Sequence, residues 1–65
     1  RALRERQILD GVAAGVSEVQ ALVRRIYVDI PESLYPAAGV SVEAHLRKLE
    51  KEEVVSRDGD RWILA

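Results

Sequence analysis

Apolar residues recur at helical spacing in three stretches of the chain, and a short alternating stretch follows them. With side chains placed about 100° apart, Ile8, Leu9, Val12 and Ala13 fall on one side, so an amphipathic helix is predicted from Arg1 to Ala14. Gly15 ends it. Leu3 points away from that stripe, either as an ordinary exposed leucine or as a contact for a neighbouring domain.

Val19, Leu22, Val23 and Ile26 then repeat at i, i+3, i+4 and i+7. Ser17 and Gln20 form an S-x-x-Q pattern in front of them, which predicts a capping box with each side chain satisfying an orphan backbone N–H. Arg24 and Arg25 point outward. Ile30 precedes Pro31 and is pushed towards extended geometry, so this helix stops near Tyr27 and 28–35 is a connector. Pro36 suits a first helical turn, where a missing N–H costs nothing. A third helix is predicted from Pro36 to Glu52, with Ala38, Val42, Leu46 and Leu49 on its core face and His45 at the edge. Gly39 weakens its first turn slightly.

The last stretch reads as a β-hairpin. Asp58-Gly59 is a favoured pair for a two-residue type I′ turn, which would set Arg57 opposite Asp60 and Val55 opposite Trp62. A two-stranded ribbon is marginal alone, so it must pack on the helices, and Trp62 is its expected anchor. Three helices and a tight hairpin, in that order, give one winged helix-turn-helix domain over residues 1–65, mainly α with a small β-hairpin.

Length and composition add limits. Sixty-five residues hold one small core and not two. There is no cysteine, hence no disulfide and no thiolate metal site, which fits a reducing compartment such as the cytoplasm. No apolar run approaches the roughly 20 residues that span a bilayer. The chain has no methionine, and we read it as a domain of a longer protein.

Catalytic signals are missing. His45 is the only histidine, and one histidine without cysteine does not make the three or four ligands of a zinc site. It reads as a partly buried structural residue holding one backbone or carboxylate partner. No serine sits in a nucleophile motif, and no phosphate-binding glycine loop is present. No catalytic, cofactor-binding or metal residue is therefore assigned.

The outer face of the third helix carries the remaining interest. Val40, Ala44, Arg47 and Lys51 fall in a narrow arc opposite the core stripe, with Lys48 on its border. Arg57 and Arg61 lie on the wing. These seven residues are the candidate contact set. They form a solvated mixed-charge face, a nucleic-acid contact or a docking site for protein. The net charge of −1, the carboxylates at Glu43, Glu50, Glu52, Glu53, Asp58 and Asp60, and the absence of Asn or Gln from this helix argue against a tight, sequence-specific DNA reader.

Several segments together carry a resemblance: RERQIL (4–9), SEVQALVRRIY (17–27), DIPESL (29–34), PAAGVSVEAHLRKLEKE (36–52) and RDGDRW (57–62). In that order they resemble the winged-helix domain at the C-terminus of metallo-β-lactamase-fold hydrolases, a group with glyoxalase-like and endoribonuclease-like members. The resemblance implies a non-catalytic accessory domain that packs beside the catalytic domain of the same protein and shapes access for RNA or acyl and thioester substrates. It implies single-stranded RNA as a partner, while the charge balance predicts weak or no binding of duplex DNA and the short apolar runs predict no membrane. It also implies zinc in the catalytic domain, whose H-x-H-x-D-H motif is not in this chain. His45 matches a winged-helix position, not a zinc ligand. The family pattern often has glycine where Glu53 stands, so a left-handed backbone there would cost roughly 1 kcal/mol relative to glycine. The alternative is the winged-helix DNA-binding domain of a transcription regulator.

Overall fold

The computed structural model describes residues 2–65, and for Ala2 the backbone only; Arg1, where the first helix was expected to begin, lies outside the described residues. Helix α1 spans Ala2–Ala13, α2 Val19–Ile26 and α3 Tyr35–Lys51, with a 3₁₀ turn at Glu32–Leu34 inside the connector. Strands β1 (Val55–Asp58) and β2 (Arg61–Leu64) form an antiparallel hairpin. This is the winged helix-turn-helix that the sequence predicts. No helix among the described residues is long and apolar enough to cross a membrane.

The core draws on all three α-helices and both strands: Ile8 and Val12, Leu22 and Val23, Ala38, Val42, Leu46 and Leu49, then Val55 and Trp62. Leu9, Val19 and Ile26 pack against it half-buried. Ala13 is a correction to the expected stripe, because it is exposed. It lies a further ~100° round the helix from Val12, which turns it away from the packed side. Gly11 is buried in its place. A β-carbon on Gly11 would lie 2.6 Å from Leu22 Cδ2, so its bare backbone lets α1 approach α2.

Two helices end in the same way. The N–H of Val16 bonds the Gly11 carbonyl and that of Gly15 bonds Val12, with Gly15 left-handed at φ 96°. At the end of α3 the N–H of Val54 bonds the Leu49 carbonyl and that of Glu53 bonds Glu50. Both are Schellman pairs, which satisfy carbonyls a helix end would leave open. In the second, the left-handed position is taken by Glu53 at φ 63°.

The capping box at Ser17 and Gln20 does not form. Helix α2 starts two residues later, its N-cap is Glu18, and no side chain caps it. Ser17 serves the wing instead: its carbonyl accepts the N–H of Trp62 at 2.8 Å. The Gln20 amide lies against Gly39, whose missing β-carbon would sit 2.7 Å from Gln20 Nε2. Gly39 is thus a place of close approach between α2 and α3 as well as a weak helix former.

The hairpin register also differs from expectation. Val55 pairs with Leu64, Arg57 with Trp62 and Asp58 with Arg61, so the loop is Gly59-Asp60. Gly59 has φ 63°, and Glu53 is the one non-glycine with positive φ among the described residues. Positive φ at the first loop position alone fits a type II′ turn rather than I′. In this register Trp62 occupies a non-hydrogen-bonded position of the ladder, which leaves its N–H for the Ser17 carbonyl, whereas the expected register would commit that N–H to Val55. Each residue's partner shifts by two, so Val55 and Trp62 still share one face.

Candidate interaction surface

Helix α3 presents its core face through Val42, Leu46 and Leu49 and leaves the opposite side in solvent. On that side Val40 is 72% exposed. Val40, Glu43, Ala44 and Arg47 line one shallow, mostly apolar depression. Four of the seven candidate residues are therefore spread along the outer side of α3 (Val40, Ala44, Arg47 and Lys51), and all four are exposed.

The cations there are largely engaged. Arg47 donates through Nε (3.0 Å) and Nη2 (2.7 Å) to one oxygen of Glu43, a pairing across one helical turn. Lys48 turns off this face. Its ammonium donates to Glu5 on α1 at 2.7 Å and lies 3.6 Å from Glu52. On the wing, the Arg57 guanidinium stacks 4.9 Å from the centroid of Trp62. Arg61 stands opposite Asp58 in the ladder. Among the described residues Lys51 forms no ion pair.

His45 lies beside the Lys48 bridge, with Nδ1 3.6 Å from Glu5 Oε2 and its side chain 21% exposed. The Lys48 hydrogen bond holds the Glu5 carboxyl below its ordinary range against the opposing effect of partial burial, and the nearby charges of Lys48 and His45 add to the lowering. A metal does not fit this cluster. One imidazole and one carboxylate are too few ligands, and the Lys48 ammonium already holds the carboxylate.

Two of the contacts that sequence reasoning missed join distant parts of the chain. One is the Glu5–Lys48 bridge, whose partners are 43 positions apart. The other is Arg4, which stacks 4.3 Å over the Tyr27 ring while Nη1 bonds Gln7. Neither has a local signal, because the distance between helices α1, α2 and α3 is set only by packing. A second depression, between α1 and α2, is lined by Gln7, Asp10, Arg25 and Ile26 and is more polar.

The fold agrees with what the chain is similar to. The family described as "Beta-lactamase associated winged helix domain" matches residues 19–62. A relative from Drosophila melanogaster, "Beta-lactamase-like protein 2 homolog", is 46% identical over 52 residues, which cover 75% of this chain and 18% of the relative. No solved structure matches the chain significantly. From α2 to the wing tryptophan, the match takes in the helix-turn-helix and the hairpin together: the chain belongs to the beta-lactamase associated winged helix domain family.

Proposed function

We propose that the chain is the non-catalytic accessory domain of a metallo-β-lactamase-fold hydrolase, packing beside the catalytic domain and shaping how substrate reaches it. The observation that carries this reading is the state of the α3 face. A helix that reads DNA presents free cations to phosphates and base edges. Here Arg47 and Lys48 are held by Glu43, Glu5 and Glu52. Among the described residues Lys51, at the far end of the helix, is the one cation of the outer side outside any ion pair, and the part of the face around the depression is left to Val40 and Ala44. A neutral, apolar face of this kind suits protein better than a phosphate backbone. The chain spans 18% of its relative, so most of a beta-lactamase-like protein lies outside the matched region. We place the protein in the cytoplasm and the zinc in the catalytic domain.

Substrate follows from position. A domain beside the metal centre touches only what reaches beyond it, so large substrates such as single-stranded RNA or acyl and thioester conjugates depend on it more than small ones. Deleting the domain from the full-length hydrolase is the test. Activity on large substrates should fall more than activity on small ones, and an equal loss on both defeats the reading. The transcription-regulator reading meets a second measurement, binding to a random duplex pool at about 150 mM salt. Weak, unspecific binding is expected. Affinity of about 10 nM or tighter with a consensus site would establish a DNA reader instead.

A further inference from the structure

We infer that the Val40–Ala44 face of α3 is the surface that seats against the beta-lactamase-like domain of the same polypeptide. This rests on the accessory-domain reading and specifies where the contact lies. Val40 is as exposed as any large apolar residue described, at 72%, equal to Leu3. Val40 has an apolar neighbour one turn on, Ala44, in a shared depression, and the other depression is lined mainly by polar groups. The small Ala44 leaves room for an aliphatic or aromatic side chain to enter beside Val40.

Charge favours covering this face. Glu43 and Arg47 flank the depression and neutralise each other, so a partner need bring no counter-charge. Arg47 spends Nε and Nη2 on Glu43, which leaves Nη1 for a carbonyl at the rim of the contact. Size favours a tethered partner. Free partners need roughly 800 Å² each for a stable complex, more than one shallow depression and its rim supply. A domain on the same chain sits at an effective concentration of about millimolar, where a small patch suffices. The family's association with beta-lactamases supplies that domain.

Val40→Asp in the full-length protein is the test, with Val28→Asp, a 70% exposed site away from this face, as control. Proteolysis between the two domains, sedimentation and binding of a fluorescent single-stranded oligonucleotide are compared with the parent protein. A carboxylate buried in an apolar contact should open the interface, raising the cleavage rate about tenfold or more while the control stays at the parental rate. Ala44→Glu should act in the same direction, which guards against a folding defect peculiar to one variant. Three results overturn the proposal: parental cleavage in both face variants, dissociation of a dimer without faster cleavage, or lost oligonucleotide binding without faster cleavage. The first leaves the accessory reading standing if deletion of the domain still impairs large substrates. The second assigns the face to another copy of the chain, and the third to nucleic acid.

Discussion

The guanidinium of Arg57 lies 4.9 Å from the centroid of the Trp62 ring, directly across the hairpin from it. The indole is 1% exposed, with its place in the core beside residues from all three helices. One side chain thus ties the wing to the helices, and a cation covers it from the solvent side. Trp62→Ala should destabilise the domain by about 3 kcal/mol or more. In so small a core that approaches the whole stability. Arg57→Ala removes only an exposed cation–π contact and should cost about 0.5–1 kcal/mol. Thermal melting followed by circular dichroism ranks the two, and a Trp62→Ala variant that melts like the parent would contradict this packing.

Glu53 sits at φ 63° where the Schellman turn closes α3. A left-handed backbone costs a residue with a β-carbon about 1–2 kcal/mol, which glycine avoids. Glycine gives part of that back through its freer unfolded chain. Glu53→Gly should therefore stabilise by roughly 0.5–1 kcal/mol, visible as a higher midpoint in urea. A lower midpoint would show that the Glu53 side chain contributes more than its backbone costs.

Gly11 and Gly39 make a matched pair for testing close approach. At Gly11 an added methyl meets Leu22 Cδ2 at 2.6 Å, and Leu22 is fully buried with nowhere to move. Gly11→Ala should cost about 1–3 kcal/mol through overpacking. At Gly39 the obstacle is the end of an exposed Gln20 side chain, which can swing aside. There the helical gain of alanine, up to about 1 kcal/mol, offsets the disturbance. Gly39→Ala should melt at or above the parent's temperature; a loss equal to that of Gly11→Ala would show that the Gln20 contact is fixed.

Acid should weaken the α1–α3 contact. Glu5 has a lowered pKa in the folded protein, principally through its Lys48 hydrogen bond. Unfolded, it titrates near the ordinary glutamate value of about 4.3. A depressed folded value means that the stabilisation is complete above the unfolded value and is lost as pH falls through the folded one. Stability measured by urea titration should therefore decline below about pH 4, and Lys48→Met should make that decline shallower. An unchanged acid limb in Lys48→Met would remove the bridge as its cause.

The sequence by itself determined the elements and the side each turns inward. Leu22, Val23, Val42, Leu46 and Leu49 are buried where the helical period puts them, because a 3.6-residue repeat fixes direction without knowledge of neighbours. The left-handed cost expected at Glu53 was legible too, since a family habit of glycine there reports on backbone conformation. Tertiary structure decided what competes for the same groups. Ser17 looked like a cap, but its segment is drawn into pairing with Trp62, and α2 begins without a side-chain cap. The two hairpin registers put Val55 and Trp62 on the same face, so the pleat could not choose between them. The choice fell to Trp62, whose N–H bonds Ser17 and is free to do so only where Trp62 occupies a non-hydrogen-bonded position of the ladder. The candidate surface follows the same division. Periodicity grouped Val40, Ala44, Arg47 and Lys51, but only packing brought Glu5 to Lys48 and turned that cation away from them. Local periodicity carries a side chain's direction, whereas its partner depends on which elements meet, and that is settled by the shared core.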